Sequence, residues 1–364
     1  MRVKVQGMIS YLLFFSLAGI SAMFHWKRHS RLAWSMAWLV FVLFIGLRHH
    51  VGGDWEGYVL ITRHISQLDF LDAIKDQEFL FSALTWVATR LGVGVYGANF
   101  VGAVIFCIGL FSYCARQPER WLALATATPF LVIVAVMSAN RQGMAIGVVL
   151  WVMARWRELD IRRRVIGISI AALFHASAAI LLITCVIDLK ISKFRKAFLL
   201  LFVTVAAFWL MSLSETVWTR YTSIYIHEQT ANVYSPGAIF HLLLNLLPAI
   251  LMLVFHKRWA RMSPDWPLLR QLCWIAVALL AVSPYFTVAV SRMSLYLFPI
   301  SISFLSRLPQ TASTGPGRAL IRISCVLLLG SVLAAWLAFA NTAFTYIPYA
   351  NVLTIPSAEL VLPR

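Results

Sequence analysis

What the chain lacks narrows it first. Apolar segments recur so closely that no polar block of at least ~50 residues remains to build a water-soluble domain. Acidic residues are scarce, 14 against 31 lysines and arginines, and charged residues of either sign make up only 12% of the chain. The formal charge of +17 would suit a nucleic-acid partner, but the basic residues come in short clusters between apolar runs. Such clusters are what the cytosolic loops of membrane proteins carry, and they exclude a nucleic-acid reading. The five cysteines, Cys107, Cys114, Cys185, Cys273 and Cys325, sit in or at the ends of apolar segments with no Cys-x-x-Cys pair. They read as small buried side chains, neither disulfides nor zinc ligands. Adjacent His49 and His50 cannot easily chelate one ion, so no metal or cofactor is expected. No internal repeat is visible, which counts against an inverted-repeat transporter.

What is present is apolar. With 61% hydrophobic residues and a mean hydropathy of +0.80, the chain reads as a single all-α, polytopic membrane domain over residues 1–364. Candidate spans are residues 8–26, 32–47, 94–114, 121–137, 142–156, 197–213, 237–256, 271–290, 293–308 and 321–341. The first run lacks a small-residue cleavage site and is expected to remain as a helix. The expected architecture is a bundle of about eleven transmembrane helices plus one or two re-entrant or interfacial segments. Two stretches are candidates for the latter. Residues 78–91 are short and threaded with polar groups. Residues 165–187 are long enough to cross, yet both flanks are basic: Arg162, Arg163 and Arg164 before, Lys190, Lys193, Arg195 and Lys196 after. Positive charge on both sides of one crossing contradicts the orientation rule. A dip that enters and leaves by one side, broken near Phe174-His175-Ala176-Ser177, removes the conflict.

With residues 25–31 cytosolic, the alternating loops place 21 of the 31 basic residues on that side, and only Arg2 and Lys4 argue against the assignment. Six of the 14 acids, Asp54, Glu56, Asp69, Asp72, Asp76 and Glu78, fall together on the other, in a bacterium the periplasmic face.

On that outer face stand three arginines at or near expected helix ends. Arg48 ends span two, Ser138-Ala139-Asn140-Arg141-Gln142 joins spans four and five, and Ser291-Arg292 joins spans eight and nine. Orientation disfavours arginine there. Guanidinium groups grip phosphate oxygens two at a time, so convergent arginines suggest a phosphate or diphosphate head group. Asp54, in Arg48-His49-His50-Val51-Gly52-Gly53-Asp54-Trp55-Glu56-Gly57-Tyr58, is a carboxylate placed to accept a proton or orient an arginine. His175, an imidazole inside an apolar segment, is the other candidate base. Between residues 215 and 234, Trp218, Tyr221, Tyr225 and Tyr234 form a ring-rich stretch that suits an interfacial helix or a glycan contact. Gly143-x-x-x-Gly147 reads as a close helix-packing motif.

Several pieces together resemble the O-antigen and exopolysaccharide polymerase family of bacterial inner membranes, in its Wzy-like and EpsG-like branch. They are Arg48-x-x-x-Gly52-Gly53-Asp54-x-x-x-Tyr58, Asn140-Arg141-Gln142-Gly143-Met144-Ala145, Leu173-Phe174-His175-Ala176-Ser177, Ser291-Arg292-Met293-Ser294-Leu295-Tyr296 and Ile347-Pro348-Tyr349. The family often has proline after the histidine, where this chain has Ala176. The resemblance implies a GT-C-like fold and a metal-independent glycosyltransferase. It would move a growing glycan from undecaprenyl diphosphate onto a lipid-linked repeat unit at the periplasmic face. Its partners would be lipid-linked oligosaccharide donor and acceptor, the bilayer and a chain-length regulator protein. Arg141 and Arg292, with Arg48, would hold the diphosphate, and Asp54 or His175 would handle the acceptor proton. Trp55, Tyr58, Gln142 and Tyr296 would shape the sugar site. The rival expectations are an O-antigen ligase and a transporter of lipid-linked oligosaccharides.

Overall fold

The computed structural model describes residues 2–24, 30–212 and 237–356, together with 358, 360 and 361. Most of this is helix, since an apolar segment removed from water can satisfy its backbone only within itself. In chain order the elements begin with α1 (Arg2–Met23), α2 (Arg31–Gly46), β1 (Arg48–His49) and the short helices α3 (Trp55–Ser66), α4 (Phe70–Asp76) and α5 (Phe79–Arg90). Then come α6 (Gly94–Ala115), α7 (Arg120–Ala127, continued as a wider π-helix to Val136), α8 (Asn140–Ala154), α9 (Ile161–Phe174), α10 (Leu182–Asp188) and α11 (Lys193–Ser212). The second half holds α12 (Ala238–Val254), α13 (His256–Met262), α14 (Trp266–Val282), α15 (Thr287–Ser294), α16 (Phe298–Arg307), α17 (Gly315–Phe339) and β2 (Ala350–Asn351).

The all-α membrane architecture holds. Three helical stretches, Gly94–Ala115, Thr287–Thr311 and Gly315–Phe339, are long and apolar enough to cross a bilayer, and Ile239–Val254 with His256–Met262 qualifies as a pair bent by 97°. Gly7–Met23, Arg31–Gly46, Arg120–Val136, Ala176–Asp188 and Trp266–Val282 are apolar but shorter. Length and composition thus give three or four crossings among the described residues, where hydropathy led to an expectation of about eleven. A 16- or 17-residue helix covers only about 25 Å against a hydrocarbon core of about 30 Å. Leu13, Leu32, Phe198, Leu247, Leu328 and Phe339 all stand exposed, a surface suited to lipid and not to water.

One expected boundary moves. The break assigned to Ser291-Arg292 lies instead at residues 283–286, and Thr287–Thr311 runs on as one helical stretch. Pro284 falls at this break and has no N–H to donate to the helix ladder, while Ser283 before it keeps helical geometry (φ −57°, ψ −32°). Arg292 therefore sits inside α15, still in the first turns of the stretch.

Hydrogen bonds and ion pairs divide the bundle into two ends. At one, Arg116 pairs with Glu158, and Arg120 donates to the Ser30 carbonyl at 3.3 Å. Arg322 pairs with Glu119 at 3.6 Å, Arg307 donates to Gln117, and Arg258 donates to the Thr311 carbonyl at 3.0 Å. Asp188 gathers Arg164 (2.8 Å), Trp156 Nε1 (2.9 Å) and Gln271 Nε2 (2.6 Å). The basic loops read from sequence as sharing one side thus touch one another.

The Arg164–Asp188 pair also fixes the path of the ambiguous segment. Its two termini meet at the basic end, so α9 and α10 form a hairpin that enters and leaves there. The tip is His175, in extended geometry (φ −157°, ψ 116°), followed by a tight 3-10 turn over Ala176–Leu181. The break forms here without a proline, Ala176 following the histidine.

At the opposite end β1 and β2 pair antiparallel, Arg48 opposite Asn351 and His49 opposite Ala350. The Gly52 N–H donates to the Thr345 carbonyl at 2.9 Å. Gly52 has φ +105°, and a Cβ there would lie 2.2 Å from the Met137 carbonyl oxygen, so only glycine fits. Between the ends, α6 and α8 approach through glycine. A Cβ on Gly109 would fall 1.8 Å from the Gly147 oxygen, and one on Gly147 would fall 2.5 Å from Phe106 Cα. Lipid offers no hydrophobic force to join helices, so such backbone contact supplies the attraction.

Candidate active site

The end opposite the basic loops collects all five motif pieces. Helix α8 begins there, and its first turn presents Arg141. The Arg141 backbone N–H donates to the Tyr58 hydroxyl from α3 (3.2 Å), and the side chain folds over the Phe81 ring of α5 at 5.6 Å. Its Nη1 donates to Gln77 Oε1 and to Glu78 Oε2, each at 2.8 Å. The second Glu78 oxygen, Oε1, lies 2.8 Å from His175 Nδ1. One carboxylate at the start of α5 therefore joins the arginine of α8 to the histidine at the hairpin tip.

The chemistry of that chain follows from burial. His175 is 4% exposed. Burial alone would raise the Glu78 carboxyl, but the hydrogen bond from His175 and the charge of Arg141 outweigh it and hold the group below the usual carboxylate range. An ionised carboxylate only accepts, so Nδ1 carries the proton and Nε2 presents a lone pair. His175 Nε2 is buried and has no hydrogen-bond partner among the described residues.

Helix α15 closes the other side. Gln142, beside Arg141 on α8, donates to the Arg292 carbonyl at 2.6 Å. The Arg292 side chain is half-buried and makes no hydrogen bond or ion pair among the described residues. Both Arg141 and Arg292 act electrostatically on His175. The Tyr296 hydroxyl lies 3.1 Å from Ser177 Oγ, just past the hairpin tip. His241 Nδ1 lies 2.7 Å from Ser291 Oγ, tying α12 to the same wall.

The residues singled out from sequence therefore fall into three groups. Arg141, His175, Tyr58, Gln142, Arg292 and Tyr296 share one neighbourhood. Arg48 lies within the bundle, 1% exposed, where Nη1 donates to the Ile45 carbonyl (2.6 Å) and Nη2 to Asn99 Oδ1 (3.5 Å). Asn99 Oδ1 also accepts from Asn140 Nδ2 at 2.8 Å, so Arg48 reaches the start of α8 through an amide relay. Trp55 is buried edge-on against His49 at 5.7 Å. Asp54 stands exposed at the rim, its backbone N–H donating to Ser138 Oγ at 3.3 Å. The ring-rich stretch at 215–234 lies outside the described residues.

Sequence reasoning did not single out Glu78 or Gln77. The available signal was weak: an acid opening a short helix with Ser82, Thr85 and Thr89 along it, all buried. Among the described residues no group of histidine, cysteine, aspartate or glutamate could hold a metal ion.

The EpsG family model matches residues 31–351, most of the chain and all five motif pieces. No curated protein and no solved structure matches it. The extent of that match and the meeting of the family's pieces at one end of a helical membrane bundle make the chain a member of the EpsG family, an exopolysaccharide and O-antigen polymerase-like family.

Proposed function

We propose that this protein is a polysaccharide polymerase of a bacterial inner membrane. It transfers a growing glycan from undecaprenyl diphosphate onto a lipid-linked repeat unit. About eleven crossings would carry the chain through the bilayer, which thins locally around the shorter helices. The clustered basic loops would face the cytosol and the Arg141 end the periplasm.

The observation that carries the reading is the convergence of Arg141 and His175 on Glu78, with Arg292 tied to the same helix through Gln142, in a chain of this family. Polymerisation needs a leaving diphosphate neutralised, an acceptor hydroxyl positioned and its proton taken. Arg141 and Arg292 supply positive charge from two helices, and their planar forks suit phosphate oxygens. His175 or Asp54 takes the proton. Arg48 supports this site from inside the bundle through Asn99 and Asn140. Tyr58, Trp55, Gln142 and Tyr296 shape the space for the sugars. Donor and acceptor lipids reach it from the bilayer.

Glycan ladders from a deletion strain complemented with variants test the proposal. Deletion is expected to leave single-unit caps, and the wild-type gene to restore long chains. Loss of every cap would indicate ligation in place of polymerisation, and an unchanged ladder would overturn both.

A further inference from the structure

We propose that Glu78 is the positioning residue that makes His175, and not Asp54, the base for the acceptor hydroxyl. This rests on the polymerase reading.

The geometry separates the two candidates. Asp54 is exposed and has no side-chain hydrogen bond or ion pair among the described residues. His175 is buried at a hairpin tip, with Nδ1 on Glu78 at 2.8 Å and Nε2 unpartnered among the described residues. A buried nitrogen without a partner is costly, and its lone pair stands ready for a hydroxyl hydrogen. Glu78 cannot rotate away from this duty, because its second oxygen is held by Arg141 at 2.8 Å. The carboxylate thus sets both the tautomer of the imidazole and the place of the neighbouring guanidinium.

The step balances without a cofactor. The acceptor hydroxyl oxygen forms a bond to the anomeric carbon of the donor sugar. The bond from that carbon to the diphosphate oxygen breaks, and its electron pair leaves with undecaprenyl diphosphate. The hydroxyl proton passes to His175 Nε2 and then to water. Glu78 stays ionised and stabilises the imidazolium formed, while Arg141 and Arg292 receive the leaving charge.

Among the described residues, the groups bearing on the imidazole are Glu78 from the start of α5, Arg141 from α8, Arg292 from α15 and the Tyr296 phenol through Ser177. Removing the negative charge with Glu78→Gln leaves an acceptor for Nδ1–H but destabilises the imidazolium against two remaining arginines. The acid limb of the rate profile should then move to lower pH by about one unit, with turnover down about 10- to 100-fold.

The experiment uses the full chain in nanodiscs with a polyprenyl-diphosphate-linked oligosaccharide. Rate is measured against pH for wild type, Glu78→Gln, His175→Gln and Asp54→Asn. In parallel, the ¹⁵N spectrum of histidine-labelled protein, with the His175 signal identified by its loss in His175→Gln, reports the tautomer. The proposal expects protonated Nδ1 in wild type, a shifted limb in Glu78→Gln, near-complete loss in His175→Gln and a retained acid limb in Asp54→Asn. It is overturned by an unshifted profile in Glu78→Gln, or by loss of the limb in Asp54→Asn alone. It is also overturned by a spectrum showing protonated Nε2. Wild-type protein that makes no polymer from this substrate, with Nδ1 protonated as expected, would sink the polymerase reading and leave the Glu78–His175 arrangement standing.

Discussion

At the scale of single residues, Arg141 concentrates the demands on the site. It donates to Gln77 and Glu78 through one nitrogen, lies over Phe81 and takes the Tyr58 hydroxyl at its backbone. Arg141→Ala is expected to abolish long glycan chains, at least 100-fold, while the protein stays in the membrane; a normal ladder from that variant would remove it from the mechanism. Arg141→Lys should recover little, since an ammonium offers a point charge and no planar fork. Glu78 carries a pH signature of its own. Its folded carboxyl lies below the unfolded value of about 4.3, so its contribution to stability is complete above that value and declines as pH falls through the folded one. The difference in melting temperature between wild type and Glu78→Gln should therefore be largest at neutral pH and shrink below about pH 4. Sequence alone gave the arginine and the histidine prominence because they are improbable in apolar surroundings. Glu78 had no such contrast, standing in line with Asp69, Asp72 and Asp76, and only the fold turns it inward. Arg48 was legible as unusual but not as interior, since an arginine ending a helix looks the same whether it faces a ligand or an amide.

At the scale of elements, the glycine contact of α6 with α8 holds the helix that starts at Arg141. Gly147→Val places methyl groups where Phe106 backbone stands, and overpacking of this kind costs on the order of 1–3 kcal/mol or more. A fall in melting temperature of several degrees in detergent, or loss of the monodisperse peak, would register it; unchanged stability would contradict the close approach. The α9–α10 hairpin was visible in the sequence because its flanks are both basic, a conflict that only a shared side resolves. Its depth and the identity of its tip partner were not, because they depend on α5. The joint at 283–286 was only partly legible, since Pro284 cannot donate to a helix ladder but Pro248 and Pro299 sit within helical stretches of the same chain. The polar pair Ser291-Arg292 marks no joint, since polarity by itself breaks no helix.

For the whole molecule, the two ends make a topological statement that labelling can check. With the five buried native cysteines replaced, Arg163→Cys and Lys190→Cys should react with an impermeant maleimide from the same side, and Glu56→Cys from the other. Reaction of the first two from opposite sides would break the hairpin. The gathering of the basic loops at one end was legible because charge placement is governed by the membrane and not by packing. The meeting of distant motif pieces was not, since nothing in a linear reading measures distance in space. The β1–β2 pairing carries this to biogenesis. The strand at Arg48 leaves the ribosome some 300 residues before its mate at Ala350-Asn351, so this end of the bundle cannot close until that later segment has been made. A chain stopped after Phe339 would insert normally and remain inert, and an intermediate of that length would wait in the bilayer with its Arg48 strand unzipped.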